Sequence, residues 1–266
     1  MKIAIIGTGN LGKSIAKGLL STPAINSLYL TKRNLSELEE FKENEHVFVT
    51  SNNIEAIQNS DNIILAVQPS HLEGVLQDIK PFLKDNHLLI STITGFSISK
   101  IEAIVGEGSS IIRAMPNTAI AVGKSMTCMC GNDKGLEHIQ IAEDIFNELG
   151  TAMIIPESQM QAATVICASG IAFWMRMIRA TTQAAIQLGF DAKEAQELAM
   201  HTCEGAASLL ITTGNHPEQE IDKVTTPKGC TIEGLNEMEH QGLSSSLIKG
   251  MVTSFQKINT IKTEQL

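Results

Sequence analysis

Apolar positions run almost unbroken through Met1-Lys2-Ile3-Ala4-Ile5-Ile6 at the start of the chain. An isoleucine-rich run of this kind predicts a parallel strand buried on both faces. The pattern breaks at Gly7. From Asn10 onward Ile15, Ala16, Leu19 and Leu20 recur at helical spacing. The same alternation continues downstream. Residues 28–31 and 46–49 predict strands, 54–59 a short helix, and 62–67 a wholly apolar strand stopped by Gln68-Pro69. Helix 72–84, strand 87–92, helix 97–105, strand 110–114, strand 124–130, helix 134–149 and strand 151–155 follow. Strands alternating with helices predict an α/β fold whose sheet is mostly parallel and covered on both faces. This first domain is expected to span residues 1–155.

The texture then changes. Between Ser158 and Phe190 only Arg176 and Arg179 are charged, and no proline interrupts a helical pattern. Such a helix would run about 50 Å. Small or apolar residues surround it on nearly every side, so it must be buried. The remaining domain, 156–266, is expected to be all-helical and too small to enclose that surface, so a second subunit should cover it. Asp191-Ala192-Lys193-Glu194 reads as a capping box opening a helix that runs to Gly214. Pro217 opens a short helix through Val224.

Composition narrows the function. Of 266 residues, 43% are hydrophobic, enough for one large or two modest cores. A net charge of −9 argues against a nucleic-acid surface. Five cysteines form no paired framework, which suits a reducing compartment and a cytoplasmic location. Cys128 and Cys130 share a strand face, but no second pair completes a zinc set, so buried free thiols and no metal are expected. The chain begins on a core strand, leaving no signal peptide to remove. No run of about eighteen residues is free of charged and polar groups, so no membrane span is expected.

Chemistry concentrates in two stretches. Gly7-Thr8-Gly9-Asn10-Leu11-Gly12 places G-x-G-x-x-G between a strand and a helix. The first glycine permits the turn, the second admits a pyrophosphate, and the third lets helix and strand pack closely. The helix start then holds the phosphate charge. This is a Rossmann-type dinucleotide site. The second strand ends in Thr31-Lys32-Arg33-Asn34 where an acidic residue would select NAD, so a 2′-phosphate and NADP fit better. Met115-Pro116-Asn117-Thr118 reads equally as a wall for the nicotinamide or as a simple turn. Farther on, Thr226-Pro227-Lys228-Gly229-Cys230-Thr231 makes a sharp turn into a helix. It leaves the amides of Gly229, Cys230 and Thr231 outward as an anion nest flanked by the Thr226 and Thr231 hydroxyls. Alone, this stretch reads as a carboxylate site or as a well-capped helix start.

With these motifs the sequence resembles the pyrroline-5-carboxylate reductase family over essentially its whole length. The matching segments are the Gly7-to-Gly12 turn, Ala66-Val67-Gln68-Pro69, Met115-Pro116-Asn117-Thr118, the long helix and the 226–235 loop. The family's Ser/Thr-Pro-Gly-Gly-x-Thr loop carries Lys228 here. Its Ser-Gly-Ser-Gly-Pro-Ala-Tyr run reads Cys167-Ala168-Ser169-Gly170-Ile171-Ala172-Phe173. The resemblance implies hydride transfer from NADPH to the C=N carbon of Δ1-pyrroline-5-carboxylate, giving L-proline in the last step of proline biosynthesis. NADH stays open as a second donor. By resemblance, Thr226 and the backbone of Gly229 and Cys230 hold the carboxylate, and the Thr231 hydroxyl bonds the ring nitrogen. The implied cofactor contacts are Gly7, Thr8, Gly9, Asn10, Leu11, Arg33, Asn34, Asn53, Ala66, Val67, Gln68 and Pro69. It also implies a homodimer through the C-terminal helices, with each site shared between two subunits, while an assembly of dimers stays open.

The chemistry agrees with an absence of acid catalysts. A cyclic imine is basic enough to protonate from solvent, so positioning suffices. The seven histidines form no constellation and read as surface or capping residues. A β-hydroxyacid dehydrogenase would need a lysine on the interdomain helix, and residues 135–192 contain none. A related imine reductase on another small amino-acid-like substrate and a non-catalytic NADP sensor are the other readings.

Overall fold

The computed structural model describes residues 1–20 and 22–264. They divide into two compact units, Met1–Ser169 together with the chain from Lys257 onward, and Gly170–Gln256. This division falls later than the change of texture at residue 156 and returns the last segment to the first unit.

The first unit is built on eight strands, β1 (Lys2–Ile6), β2 (Ser27–Thr31), β3 (Val47–Thr50), β4 (Asn62–Leu65), β5 (Leu88–Ser91), β6 (Ser110–Met115), β7 (Ser125–Gly131) and β8 (Gly150–Ile154). Their order is β3-β2-β1-β4-β5-β6-β7-β8. Every neighbouring pair is parallel except β6 and β7. The chain leaves β1 in one direction through β2 and β3, then returns to its other side with β4. The crevice at this reversal, beyond the carboxyl ends of β1 and β4, is where open α/β sheets bind ligands.

The alternation of side chains explains why these strands are apolar throughout. Ile3 and Ile5 enter one buried cluster with Ile15, Leu19 and Phe146. Ala4 and Ile6 enter the other with Leu72, Leu76 and Ile101. Helices α1 (Asn10–Leu19), α2 (Asn53–Gln58), α3 (Pro69–Ile79), α4 (Ile98–Val105), α5 (Asp133–Glu137) and α6 (Ile139–Asn147) link the strands. Cys128 and Cys130 sit in the second cluster. Burial, and secondarily the Cys167 thiol with its Sγ 3.8 Å away, pushes the Cys128 thiol up to about 12.

Four local expectations change. The single helix over 134–149 is two, broken at His138. Within α5, Gly135 lies so close to β6 that a Cβ would stand 2.1 Å from the Ile111 carbonyl oxygen, and the His138 amide donates back to the Gly135 carbonyl at 3.0 Å where that first helix ends. Pro69 opens α3 as its first residue, and Pro81 confines the next turn to a 3₁₀ segment at Lys80–Phe82. A 3₁₀ segment at Leu35–Phe41, without a periodic signal, buries Leu38 and Phe41. His87, expected at the surface, is 3% exposed; its Nδ1 accepts the Lys84 amide at 3.1 Å. Its Nε2 makes no hydrogen bond among the described residues.

The long apolar helix is present with internal structure. A 3₁₀ turn at Glu157–Gln159 leads into α7 (Met160–Ala163), a π-helical turn at Thr164–Ser169 and α8 (Gly170–Gln187). The Thr164 hydroxyl donates back to the Met160 carbonyl at 2.8 Å beside the widened turn. Gly189, at φ 110°, ends the run before Phe190. The second unit adds α9 (Ala192–Thr213), α10 (Pro217–Val224), α11 (Cys230–His240) and the start of α12 (Leu243–Glu264). The Asp191 side chain caps α9 by accepting the Lys193 and Glu194 amides.

Within one chain α8 is not enclosed. Trp174 is 57% exposed and Met175 60%, with Leu188 at 81% and Ile211 of α9 at 83%. By length and composition the run Glu157–Gln187 is apolar enough to cross a membrane, at a mean hydropathy of 1.3, so the exclusion drawn from its polar residues is narrower than expected.

Candidate functional site

In the first unit, the glycine turn meets the loop after β4. Gly7 has φ 93°, and a Cβ there would stand 2.5 Å from Val67 Cγ1 and 2.8 Å from the Val67 backbone nitrogen. The Gly7 amide donates to Thr31 Oγ1 at 3.2 Å, the Thr8 amide to the Thr31 carbonyl at 2.8 Å, and the Ala66 amide to the Ile6 carbonyl at 2.9 Å. These bonds draw the carboxyl ends of β1, β2 and β4 together. Gly12 packs so that a Cβ would stand 2.7 Å from the Gly7 carbonyl oxygen. Around Gly9, by contrast, a Cβ would meet nothing within 4 Å. The close approaches at Gly7 and Gly12 shape a turn whose middle is open.

This cradle fits a dinucleotide phosphate. Helix α1 starts at Gly9 without a side-chain cap or an acidic residue in its first turn, so its leading amides face no competing carboxylate. Thr8 is fully buried and its Oγ1 has no partner among the described residues. A buried hydroxyl left this way favours a polar ligand atom beside it.

The rim after β2 is less free than the sequence suggests. Thr31 turns inward to Gly7. Lys32 is ion-paired with Glu37. Asn34 accepts the Ser36 amide at 3.3 Å and the Ser36 hydroxyl at 2.8 Å, and it donates to Glu37 at 3.4 Å. Arg33 is exposed. Asn53 lies on the same rim as the first residue of α2, where Asn52 makes the cap by accepting the Ile54 and Glu55 amides. Gln68 and Pro69 are exposed at the start of α3. Asn117 is internally engaged: its Nδ2 donates to the Cys167 carbonyl at 3.1 Å and its Oδ1 accepts the Ala119 amide at 2.9 Å. These bonds hold the stretch as a turn, with Asn117 capping the 3₁₀ segment Thr118–Val122.

In the second unit, the 226–231 stretch turns tightly. The Gly229 amide donates to the Thr226 carbonyl at 2.9 Å, closing a turn with Pro227 and Lys228 as its central residues. Lys228 has φ 60°, the left-handed conformation that the third position of a type II turn requires. Gly229 is needed for another reason: a Cβ there would stand 2.4 Å from Thr226 Oγ1. The outward Gly229 amide expected from sequence is therefore engaged inside the turn. Helix α11 starts at Cys230 without a side-chain cap, so the leading amides from Cys230 onward carry the anion-binding character. Thr226 and Cys230 are exposed and Thr231 is half-buried. Glu233 in the first turn of α11, which no motif marks, opposes an anion there.

Comparison with known proteins agrees with both units. The family described as "NADP oxidoreductase coenzyme F420-dependent" matches residues 2–95. The family described as "Pyrroline-5-carboxylate reductase dimerisation" matches residues 157–261. Fold and matches define a nicotinamide-dinucleotide oxidoreductase with a helical dimerisation region. Pyrroline-5-carboxylate reductase 1 of Dictyostelium discoideum is 43% identical over 99% of this chain, which spans half of that relative's length. Pyrroline-5-carboxylate reductase 2 of the same organism is 39% identical over 96% of this chain and 91% of its own. A Plasmodium falciparum pyrroline carboxylate reductase crystallised with NADP bound superposes with a TM-score of 0.87 at 27% identity, covering 98% of each chain. The chain belongs to the pyrroline-5-carboxylate reductase family, oxidoreductases acting on C=N bonds with NAD(P)H.

Proposed function

We propose that this chain reduces Δ1-pyrroline-5-carboxylate to L-proline with NADPH. The observation that carries the reading is the open glycine cradle at the sheet's reversal point, with Thr8 buried and unpartnered within it. Bound there, the nicotinamide supplies a hydride to the imine carbon. Residues 7–11 hold the pyrophosphate, residues 66–69 and Asn53 border the dinucleotide, and Arg33 with Asn34 faces the 2′-phosphate.

The threonine-tipped turn holds the other reactant. The Thr226 hydroxyl and the leading amides of α11 at Cys230 and Thr231 bind the carboxylate. Gly229 contributes by closeness rather than as a donor. The Thr231 hydroxyl orients the ring nitrogen, which arrives already protonated from solvent, so no histidine or lysine acid is needed.

The family's dimerisation region supports a homo-oligomer. The dimer proposed here forms through the helices of the second unit, and each complete site takes its dinucleotide fold and its threonine turn from different copies. The apolar faces of α8 and α9 support burial by another copy rather than by lipid, since Arg176 and Arg179 are exposed along the same helix. The five free cysteines fit a reducing, cytoplasmic setting.

The test is NADPH oxidation with Δ1-pyrroline-5-carboxylate as the acceptor. Turnover with release of L-proline is expected. NADPH binding without turnover would leave a cofactor sensor; turnover only with other cyclic imines would leave a related imine reductase.

A further inference from the structure

The rim after β2 holds an acid that its sequence position does not advertise. Glu37 sits in the 3₁₀ segment Leu35–Phe41, which is anchored by the fully buried Leu38 and Phe41. Its backbone is therefore held in place, while its carboxylate stays at the surface. It pairs with Lys32 and accepts from Asn34, two of the polar groups flanking Arg33. The next acid along, Glu40, pairs with Lys13 at 3.6 Å and Lys17 at 2.6 Å, both from α1. Lys13 also acts on Glu37 through space. Among the described residues two carboxylates thus engage three lysines around this corner, and Arg33 is an exposed cation beside them.

We propose that Glu37 is a specificity-determining residue that restrains the preference for NADPH over NADH. The proposal rests on the reading above that a 2′-phosphate docks at Arg33. Glu37 acts as a built-in counterion. A 2′-phosphate must either draw Lys32 and Asn34 away from Glu37 or bind beside a carboxylate of its own sign. A dinucleotide without that phosphate meets no such competition. Like charges at an exposed site repel by amounts that salt screens.

The probes are 2′,5′-ADP, which carries the 2′-phosphate, and 5′-AMP, which does not, each titrated calorimetrically into the full-length protein. Glu37→Gln keeps the shape and removes the charge. It should tighten 2′,5′-ADP about two- to fivefold, the range of one exposed charge interaction, and leave 5′-AMP unmoved. The gain should shrink at about 1 M salt, where screening acts within about 3 Å. Lys32→Ala should cost more affinity for 2′,5′-ADP in the Glu37→Gln background than in the native protein, because Lys32 is then released to the phosphate.

An unchanged or weakened 2′,5′-ADP affinity in Glu37→Gln overturns the proposal, the weakened case making Glu37 an organiser of the phosphate site. Arg33→Ala separates this from the underlying reading. If Arg33→Ala selectively weakens 2′,5′-ADP while Glu37→Gln does nothing, only the role of Glu37 fails. If Arg33→Ala weakens both probes alike, the 2′-phosphate site lies elsewhere and the proposal falls with it.

Discussion

At the scale of single residues, Lys228 and Thr231 stand three positions apart and answer to different forces. Lys228 occupies a left-handed conformation in which an L side chain costs about 1–2 kcal/mol. Glycine removes that cost but brings about 0.5–1 kcal/mol of its own conformational entropy to the unfolded chain. Relief is the larger of the two, so Lys228→Gly should stabilise the protein by about 0.5–1 kcal/mol in urea unfolding. Lys228→Ala removes the charge and keeps the strain, so it should gain little; equal gains from both variants would point to charge instead. In the proposed reaction the Thr231 hydroxyl orients the ring nitrogen. Thr231→Ala should lower turnover about tenfold to a hundredfold, the loss of one hydrogen bond to a charged group. NADPH affinity should stay nearly constant, because the proposed role of Thr231 is toward the substrate and not the dinucleotide. An unaltered rate would remove Thr231 from the chemistry.

At the scale of elements, β1 and the strands beside it were the most readable part of the sequence, because burial on both faces makes them apolar at every position. The glycine motif was readable too, since each of its glycines answers a separate close approach or opening. What periodicity does not carry is where a helix breaks. One apparent helix is split at His138 into α5 and α6, and the π-helical turn before α8 keeps its apolar spacing. The rim after β2 was half legible: its residue types were visible, but that Glu37 reaches back to Lys32 and Asn34 was not. His87 shows the same limit, since nothing in its neighbours marks it as buried. It stands just before β5 with Nδ1 accepting the Lys84 amide, so its neutral form is the one the fold holds. Burial, and secondarily the nearby Lys84 charge, lowers its pKa from 6.5. Below about 6.5 the unfolded chain takes up this proton and the folded one resists it, so stability falls as pH drops through that window and is fully present above it. Thermal unfolding measured from pH 7.5 down to 5.5 should show this loss. In His87→Asn, whose side-chain oxygen can accept the same amide, that part of the slope should disappear.

At the scale of the whole molecule, the question is what covers the apolar surface of the second unit. The length and composition of Glu157–Gln187 fit a membrane as well as they fit a partner. Composition alone therefore does not decide it. The dimerisation family matching residues 157–261 favours a second copy, and so do Arg176 and Arg179, which would have to enter lipid with their helix. Trp174, the only tryptophan of the chain, lies on α8 and is 57% exposed in one protomer, so its emission reports which cover is present. If another copy covers it, its emission at micromolar protein should be blue-shifted and poorly quenched by acrylamide without any lipid. Dilution toward dissociation should shift the emission red, and the unfolding temperature should rise with protein concentration, because association stabilises the folded state by mass action. If a membrane covers it, the blue shift should instead require lipid vesicles, and the protein should sediment with them. A Trp174 that is freely quenched in concentrated, lipid-free protein would mean that the face stays open, and a site shared between copies could not form there.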